Sequence, residues 1–334
     1  MPESAGTRPV VVFTDREHDD LAIERAILAE IDAEVIDLNG DLDGFAEVAA
    51  RADAVCNQYT DLGPDRIAQL GEKCGVISHY GIGVNRIDVE AATARGIFVA
   101  NAPTYCTEEV AYHAVALLLS LERAIVPYER QYREDHRWSY HTEYTLHRIS
   151  TRTLGLVGYG RTAREVARIG RALGYGILAY DPVLSAEFIQ AEGATPVATV
   201  GELFERSDAV SLHVPLTPET RNMVNDEVLS RARPGLRLVN TSRGAVIDEA
   251  ALRTHLESGR VIAGLDVIAN EPPSFDDPIL SAPGTVTTPH VAFYSEEAYM
   301  ELRETVARNV VAFIRTGAPF HSVNRVAEPA TTKQ

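Results

Sequence analysis

The sequence predicts an α/β protein of two doubly wound, parallel-sheet domains. The chain has 334 residues and 45% hydrophobic content, enough for two domains with full cores. Short apolar runs alternate with stretches of helical periodicity along most of its length, the pattern of helices laid on a parallel sheet. That alternation occurs twice, once before Pro103 and again from Leu154, with a polar and aromatic segment between.

In chain order, PVVVFTD (9–15) reads as the first strand, and LAIERAILAEI (21–31) has apolar residues at helical spacing. EVIDLNG, DAVCNQYT and GVISHYG read as further strands separated in part by helical stretches. TEEVAYHAVALLLSLERAI (107–125) is too continuously apolar for a surface helix and is expected to be long and buried, with Thr107 as N-cap and acidic residues in its first turn. The segment 128–150, rich in Arg, Tyr and His, reads as a solvated linker with Trp138 as its aromatic anchor, or as a lid or dimer arm. From Leu154, the runs LGLVG, GILAYD, AVSLHV, LRLVN, VIAGLDV and TVTTPH give six strand candidates with helices between them. A long amphipathic helix is expected over 295–317, followed by a loose tail after Asn324.

Composition narrows the partners. The net charge of −17, from 31 basic and 48 acidic residues, repels phosphate backbones and anionic bilayers, so neither nucleic acid nor a membrane is an expected partner. Lysine occurs only at Lys73 and Lys333, a bias compatible with a GC-rich genome or with salt adaptation. Cys56, Cys74 and Cys106 lack CxxC spacing and read as free thiols in a reducing compartment; no metal site is expected. The N-terminal MPESAGTRP has no apolar core of a signal peptide, and the longest apolar run, 110–121, is too short to span a bilayer. A cytoplasmic protein is therefore expected.

The run LGLVGYGRTAREVARIG carries a dinucleotide signature, GxGxxA, at Gly158, Gly160 and Ala163. Gly158 permits the tight strand-to-helix turn, Gly160 lets backbone approach a pyrophosphate, and Ala163 is small enough for close helix–strand packing. The helix N-terminus then offers free N–H groups to phosphate, with Arg161 and Thr162 beside it. Asp181 ends the next strand 21 residues after Gly160, near the interval at which an acid holds the adenosine ribose. That carboxylate repels a 2′-phosphate, and Pro182 and Val183 supply no compensating arginine, so NAD is expected rather than NADP.

Three later strands end in charged residues: Arg243 after LRLVN, Asp266 and then Glu271 after VIAGL, and His290 after TVTTP. A histidine following a proline is ordinarily structural, Arg243 suits a surface ion pair, and Glu271 is an ordinary loop acid before Pro272. Together, at strand ends behind a dinucleotide signature, they suit 2-keto acid chemistry. The arginine fork binds a carboxylate, the histidine exchanges a proton near neutrality, and the glutamate orients the ring.

With GIGVNRIDVEAATARGIFVANAP, SLHVPLTPETRNMVN, PGLRLVNTSRGAVIDEAAL, GLDVIANEP and TTPHVAFYSEEA, the chain resembles the D-isomer-specific 2-hydroxyacid dehydrogenases. The ending HVAFYSEEA and the run DPVLSAE look most like the branch of the C-terminal binding proteins and their bacterial relatives. The resemblance implies a Rossmann cofactor domain, 104–297, inserted into a flavodoxin-like substrate domain, 1–103 and 298–334, with substrate in the cleft and a homodimer formed through the cofactor domain. It assigns Arg243 to substrate binding, Glu271 to the acid, His290 to the general acid/base and Asp266 to the nicotinamide carboxamide. His213, Thr220 and Thr241 would line the cofactor. The backbone at Ile82 and Gly83 would receive the substrate carboxylate, with His79, Tyr80 and Phe293 nearby. His79 replaces an arginine of the C-terminal binding proteins, Phe293 replaces their tryptophan, and Tyr112 stands where an acid is usual. The expected function is NAD-dependent interconversion of a small 2-keto acid and its D-2-hydroxy acid; the alternative is an NAD(H)-sensing corepressor scaffold with little turnover. Tyr80 and Phe293 mildly favour an apolar or aromatic substrate side chain, and the absence of a basic cluster before Gly81 disfavours a phosphorylated one.

Overall fold

In a computed structural model that describes residues 8–142 and 144–326, the strands form two separate, wholly parallel sheets. The first contains β1 (Val10–Phe13), β2 (Glu34–Asp37), β3 (Ala54–Asn57), β4 (Val76–His79) and β5 (Phe98–Ala100), in the order β2-β1-β3-β4-β5. The second contains β6 (Thr153–Val157), β7 (Gly176–Tyr180), β8 (Thr195–Pro196), β9 (Ala209–Leu212), β10 (Leu236–Asn240), β11 (Val261–Leu265) and β12 (Thr285–Thr287), in the order β12-β11-β10-β9-β6-β7-β8. These are the flavodoxin-like and Rossmann-like orders of doubly wound sheets. The chain divides correspondingly into Met1–Tyr105 with Ser295–Gln334, and Cys106–Tyr294. Residues 1–7 and 327–334, where the N-terminal and tail expectations largely fall, lie outside the described residues.

In the first unit every residue of β1, β3 and β4 is buried, as expected of strands covered on both faces by helices. The C-terminal helix Glu296–Thr316 returns to this unit. Ser295 caps it by accepting from the Ala298 amide, and Gly317 ends it at φ 82°. It docks where Ser78 Oγ donates to the Val306 carbonyl (3.0 Å) and Asn309 Nδ2 to the Asn101 carbonyl (3.1 Å). The Glu24 side chain, 0% exposed, accepts from Arg303 Nε and Nη2 (both 2.8 Å) and from the Tyr80 hydroxyl (3.0 Å), with His18 Nε2 at 3.2 Å. Burial opposes its charge, but the hydrogen bonds from Arg303 and the nearby His18 ring prevail and hold its carboxyl down at about 2.

In the second unit, the helix Thr107–Glu122 buries Ala111, Ala114, Val115, Leu117, Leu118 and Leu121 against the fingerprint helix Arg161–Leu173, β10 and β11. Each of the valine and leucine side chains contributes about 1.5–3 kcal/mol. Its last residue, Glu122, is 0% exposed beside Arg152 (3.1 Å), Arg237 (3.6 Å) and the Tyr175 hydroxyl (3.0 Å).

Two local expectations are corrected. Thr107 is the first helical residue rather than the cap, a place taken by Cys106, whose side chain does not cap the helix. Trp138 anchors nothing in a core: it is 88% exposed, edge-on to Tyr132 at 5.6 Å, and part of its segment is helical over Ile125–Arg133. The two-residue edge strand β8 is too short to register in an apolar pattern.

Candidate active site

The turn after β6 is shaped by its glycines. Gly158 sits at φ 83°, and a Cβ there would lie 2.6 Å from the His213 carbonyl oxygen, so two strand ends converge closely at this point. Gly160 is extended (φ −69°, ψ −166°) and caps the helix Arg161–Leu173; a Cβ there would meet nothing within 4 Å. The backbone is thus open to a ligand above the amino end of that helix, which suits a pyrophosphate. Asp181, directly after β7, accepts the Tyr159 amide (2.8 Å) on Oδ2 and the Val183 and Leu184 amides (2.9 and 3.0 Å) on Oδ1. It therefore braces the glycine turn and keeps spare acceptor capacity for ribose hydroxyls.

Two buried polar atoms at neighbouring strand ends, His213 Nε2 and Thr241 Oγ1, have no hydrogen-bond partner among the described residues. Burial pulls the His213 pKa down to about 4, leaving its ring neutral at pH 7. Orphaned groups beside an open glycine turn are what a polar cofactor would satisfy, so these residues fit a nicotinamide dinucleotide. Thr220 is committed to its own turn: its hydroxyl donates to the Pro215 carbonyl (2.6 Å) and accepts from the Thr217 amide (2.8 Å).

The strands β9, β10, β11 and β12 lie side by side, so their carboxyl ends present His213, Arg243, Glu271 and His290 along one edge. Asn240, fully buried, holds the turn after β10: its Oδ1 accepts from Ser242 N (3.0 Å) and Oγ (2.8 Å), and its Nδ2 donates to the Arg243 carbonyl (3.0 Å). Gly244 lets this turn close on the next one, because any Cβ there would fall on the Ile268 backbone. Neither residue stood out as functional in the sequence; the signals were a polar residue closing an apolar strand and a glycine directly after a charged one.

Glu271 Oε2 is 2.5 Å from His290 Nδ1, and its Oε1 accepts the Ile268 amide at 3.0 Å. Burial works against the Glu271 charge, but the hydrogen bond and charge of His290, the Ile268 amide and the Arg243 guanidinium together hold its carboxyl below the usual range. An ionised carboxylate only accepts, so Nδ1 of His290 carries the proton and Nε2 is left to exchange one. The side chains of His290 and Glu271 are 42% and 32% exposed, reachable by a ligand. His290 adopts φ 53°, a left-handed backbone uncommon outside glycine. Asp266, 2% exposed, accepts the Thr288 hydroxyl (2.6 Å) and the Val291 amide (2.9 Å) on Oδ1 and the Ala292 amide (3.0 Å) on Oδ2. Phe293 follows, half-buried, edge-on to Tyr294 at 6.4 Å.

The remaining candidates belong to the first unit. His79 is buried with Nδ1 3.2 Å from Asn57 Oδ1, and Tyr80, 5% exposed, turns its hydroxyl inward to Glu24. Tyr80 therefore gives no support to an aromatic substrate preference. Ile82 is 41% exposed, its carbonyl held by Asn101 Nδ2 (2.7 Å). Among the described residues, the Ile82 and Gly83 amides donate no hydrogen bond.

Known proteins carry the same organisation. A glyoxylate reductase of Korarchaeum cryptofilum is 40% identical over 82% of this chain and 83% of that protein. A D-3-phosphoglycerate dehydrogenase of Synechocystis is 35% identical over 79% of this chain but only 47% of its own length. The crystal structure of a D-lactate dehydrogenase from Aquifex aeolicus, complexed with NAD and lactic acid, superimposes with a TM-score of 0.82 at 27% identity, covering 92% of this chain and 95% of that one. Residues 115–292 match the family described as D-isomer specific 2-hydroxyacid dehydrogenase, NAD binding domain, and the chain belongs to that family.

Proposed function

We propose that this protein interconverts a small 2-keto acid and its D-2-hydroxy acid, using NAD and His290 as general acid/base. The observation that carries the reading is the 2.5 Å contact between His290 Nδ1 and Glu271, on the same sheet edge as Arg243 and behind the dinucleotide turn. Bound NADH would supply a hydride to the keto carbon, and NAD would take it back in the reverse direction. The chain's residues handle charge and protons. Arg243 pairs with the substrate carboxylate and draws electron density from the adjacent carbonyl. His290 gives its Nε2 proton to the carbonyl oxygen as that oxygen gains charge, forming the hydroxyl, and recovers a proton from solvent. Glu271 keeps the ring oriented and stabilises the imidazolium that precedes transfer. The Ile82 and Gly83 amides, which donate no hydrogen bond among the described residues, support a part for their own loop in binding an anion.

The Arg243–Glu271–His290 set favours turnover over a scaffold role, for which a dinucleotide site alone would suffice. The glyoxylate reductase relative makes glyoxylate the first substrate to try. Exposed Trp138, Tyr140, Tyr132 and Ile125 support a homodimer through the second unit, and the buried free thiols of Cys56, Cys74 and Cys106 suit the cytoplasm.

The test is NADH oxidation by the purified full chain with glyoxylate, hydroxypyruvate, pyruvate, phenylpyruvate and 3-phosphohydroxypyruvate. At least one should turn over, and His290→Ala should lose about 10²–10⁴-fold in rate. No turnover across the panel, or an His290→Ala variant as fast as the parent, removes the proposal.

A further inference from the structure

We propose that His113, acting through Thr288 and Asp266, is a positioning residue that holds the loop carrying His290 in its working conformation. The inference rests on the acid/base reading of His290 and extends it to a helix that carries none of the strand-end groups.

The loop is fastened at both sides of His290. The His290 amide donates to the carbonyls of Asp266 (2.8 Å) and Thr288 (3.0 Å), and the next two amides, Val291 and Ala292, donate to the two oxygens of the Asp266 carboxylate. The Thr288 hydroxyl donates to Asp266 Oδ1 at 2.6 Å. A hydroxyl has one proton, and this one is given to a carboxylate, so toward any other partner Thr288 Oγ1 is an acceptor. That other partner is His113 Nε2, at 2.9 Å, which also lies 3.5 Å from Asp266 Oδ1. Nε2 of His113 must therefore carry a proton whether the ring is neutral or charged. The result is a chain of fixed direction, from the His113 N–H through the Thr288 hydroxyl to Asp266, whose carboxylate holds the two amides directly after the catalytic imidazole.

His113 is suited to be the fixed end. It stands on the helix Thr107–Glu122, whose buried face is packed on β10, β11 and the fingerprint helix. The other end gains from fixing, because His290 sits at φ 53°, a left-handed conformation sparsely populated outside glycine. Asp266 Oδ1 takes three approaches and Oδ2 one, so Oδ2 keeps an acceptor position for the nicotinamide carboxamide. One carboxylate would thereby set the loop and meet the cofactor, with Thr288 and His113 deciding how firmly it is held.

The experiment uses the full chain with Thr288→Val, Thr288→Ser, His113→Leu, His113→Gln and the Thr288→Val/His113→Leu double variant. Steady-state kinetics with NADH and the best keto acid are paired with amide hydrogen exchange at Val291 and Ala292. Thr288→Val and His113→Leu should each lower kcat about 10–100-fold, as misplacement of a reacting group does, with both KM values within about threefold of the parent. The double variant should be no slower than the slower single one, since the groups act as one unit. Thr288→Ser and His113→Gln, which keep a hydroxyl and a donor, should recover most of kcat. Exchange at the two amides should quicken about tenfold in the Val and Leu variants. Unchanged kcat, multiplying single effects, or a raised KM at constant kcat overturns the proposal. If the parent turns over no keto acid, the functional reading fails on its own, and the exchange rates still decide this one: unaltered protection at Val291 and Ala292 refutes it.

Discussion

Replacing either glycine of the dinucleotide turn by alanine separates folding from binding. At Gly158 the substitution places a side chain at φ 83° and a Cβ 2.6 Å from the His213 carbonyl oxygen, a backbone atom. The left-handed conformation costs about 1–2 kcal/mol and the overpacking about 1–3 kcal/mol, together about 2–5 kcal/mol. At about 2–4 °C per kcal/mol for a domain of this size, Gly158→Ala should lower the melting temperature by about 4 °C or more. Gly160 is different. Its dihedrals are ordinary for alanine and the space beside it is open, so Gly160→Ala should melt within about 2 °C of the parent, or slightly above it through a less flexible unfolded chain. Its added methyl instead occupies the approach to the helix amides, and the Kd for NADH should rise about tenfold or more, a loss of about 1.4 kcal/mol. Thermal melts with and without NADH, and NADH fluorescence titration, measure both quantities. A Gly160→Ala variant that binds NADH as tightly as the parent would show that this turn does not hold the pyrophosphate. Equal loss of stability in the two variants would refute the packing argument.

Other expectations follow from charges placed by the fold. The Glu24 carboxyl is depressed to about 2 from an ordinary 4.5, so its stabilisation is fully present above about pH 5 and disappears as pH falls toward 2. At 1.36 kcal/mol per pH unit this is about 3 kcal/mol near neutrality; Glu24→Gln should show that loss at pH 7 in urea melts and converge with the parent near pH 2–3. Asp181→Asn should reduce the preference for NADH over NADPH by at least about fivefold, the effect of removing about 1 kcal/mol of charge repulsion, as read by paired cofactor titrations. Glu271→Gln keeps a hydrogen-bonding side chain beside His290 but removes the charge that stabilises imidazolium, so kcat for keto-acid reduction should fall about 10–100-fold with little change in KM.

The fold was legible wherever local pattern and layer architecture coincide. Fully buried parallel strands such as β1 and β11 are apolar on both faces, so they stand out as uninterrupted runs. The strand ends were legible because Asp181, Arg243 and His290 are the first charged or imidazole-bearing residues to follow the strands β7, β10 and β12. What pairs with what was legible only in part. The chemistry of the strand ends already set Glu271 beside His290, and the adjacency of β11 and β12 gives that pair its 2.5 Å contact, but nothing in the sequence signalled that His113 meets Thr288 across 175 residues of chain. In its own segment His113 is only a polar interruption in an apolar helix. Tyr80 misled because it adjoins the loop of Ile82 and Gly83, whereas a buried Glu24, itself stabilised by an arginine 279 residues away, draws its hydroxyl inward. Trp138 misled because a lone tryptophan ordinarily seeks a core, and here it lies on the surface.

The left-handed backbone at His290 also limits which inactive variant is informative. Alanine at φ 53° removes the imidazole and at the same time loads the loop with strain, so a slow His290→Ala enzyme reports two losses at once. Asparagine is among the few residues at ease in that region, and its amide can still donate toward Glu271 while having no proton to transfer. His290→Asn is therefore the variant in which keto acid and reduced cofactor should persist together without reacting, long enough to be captured in a crystal.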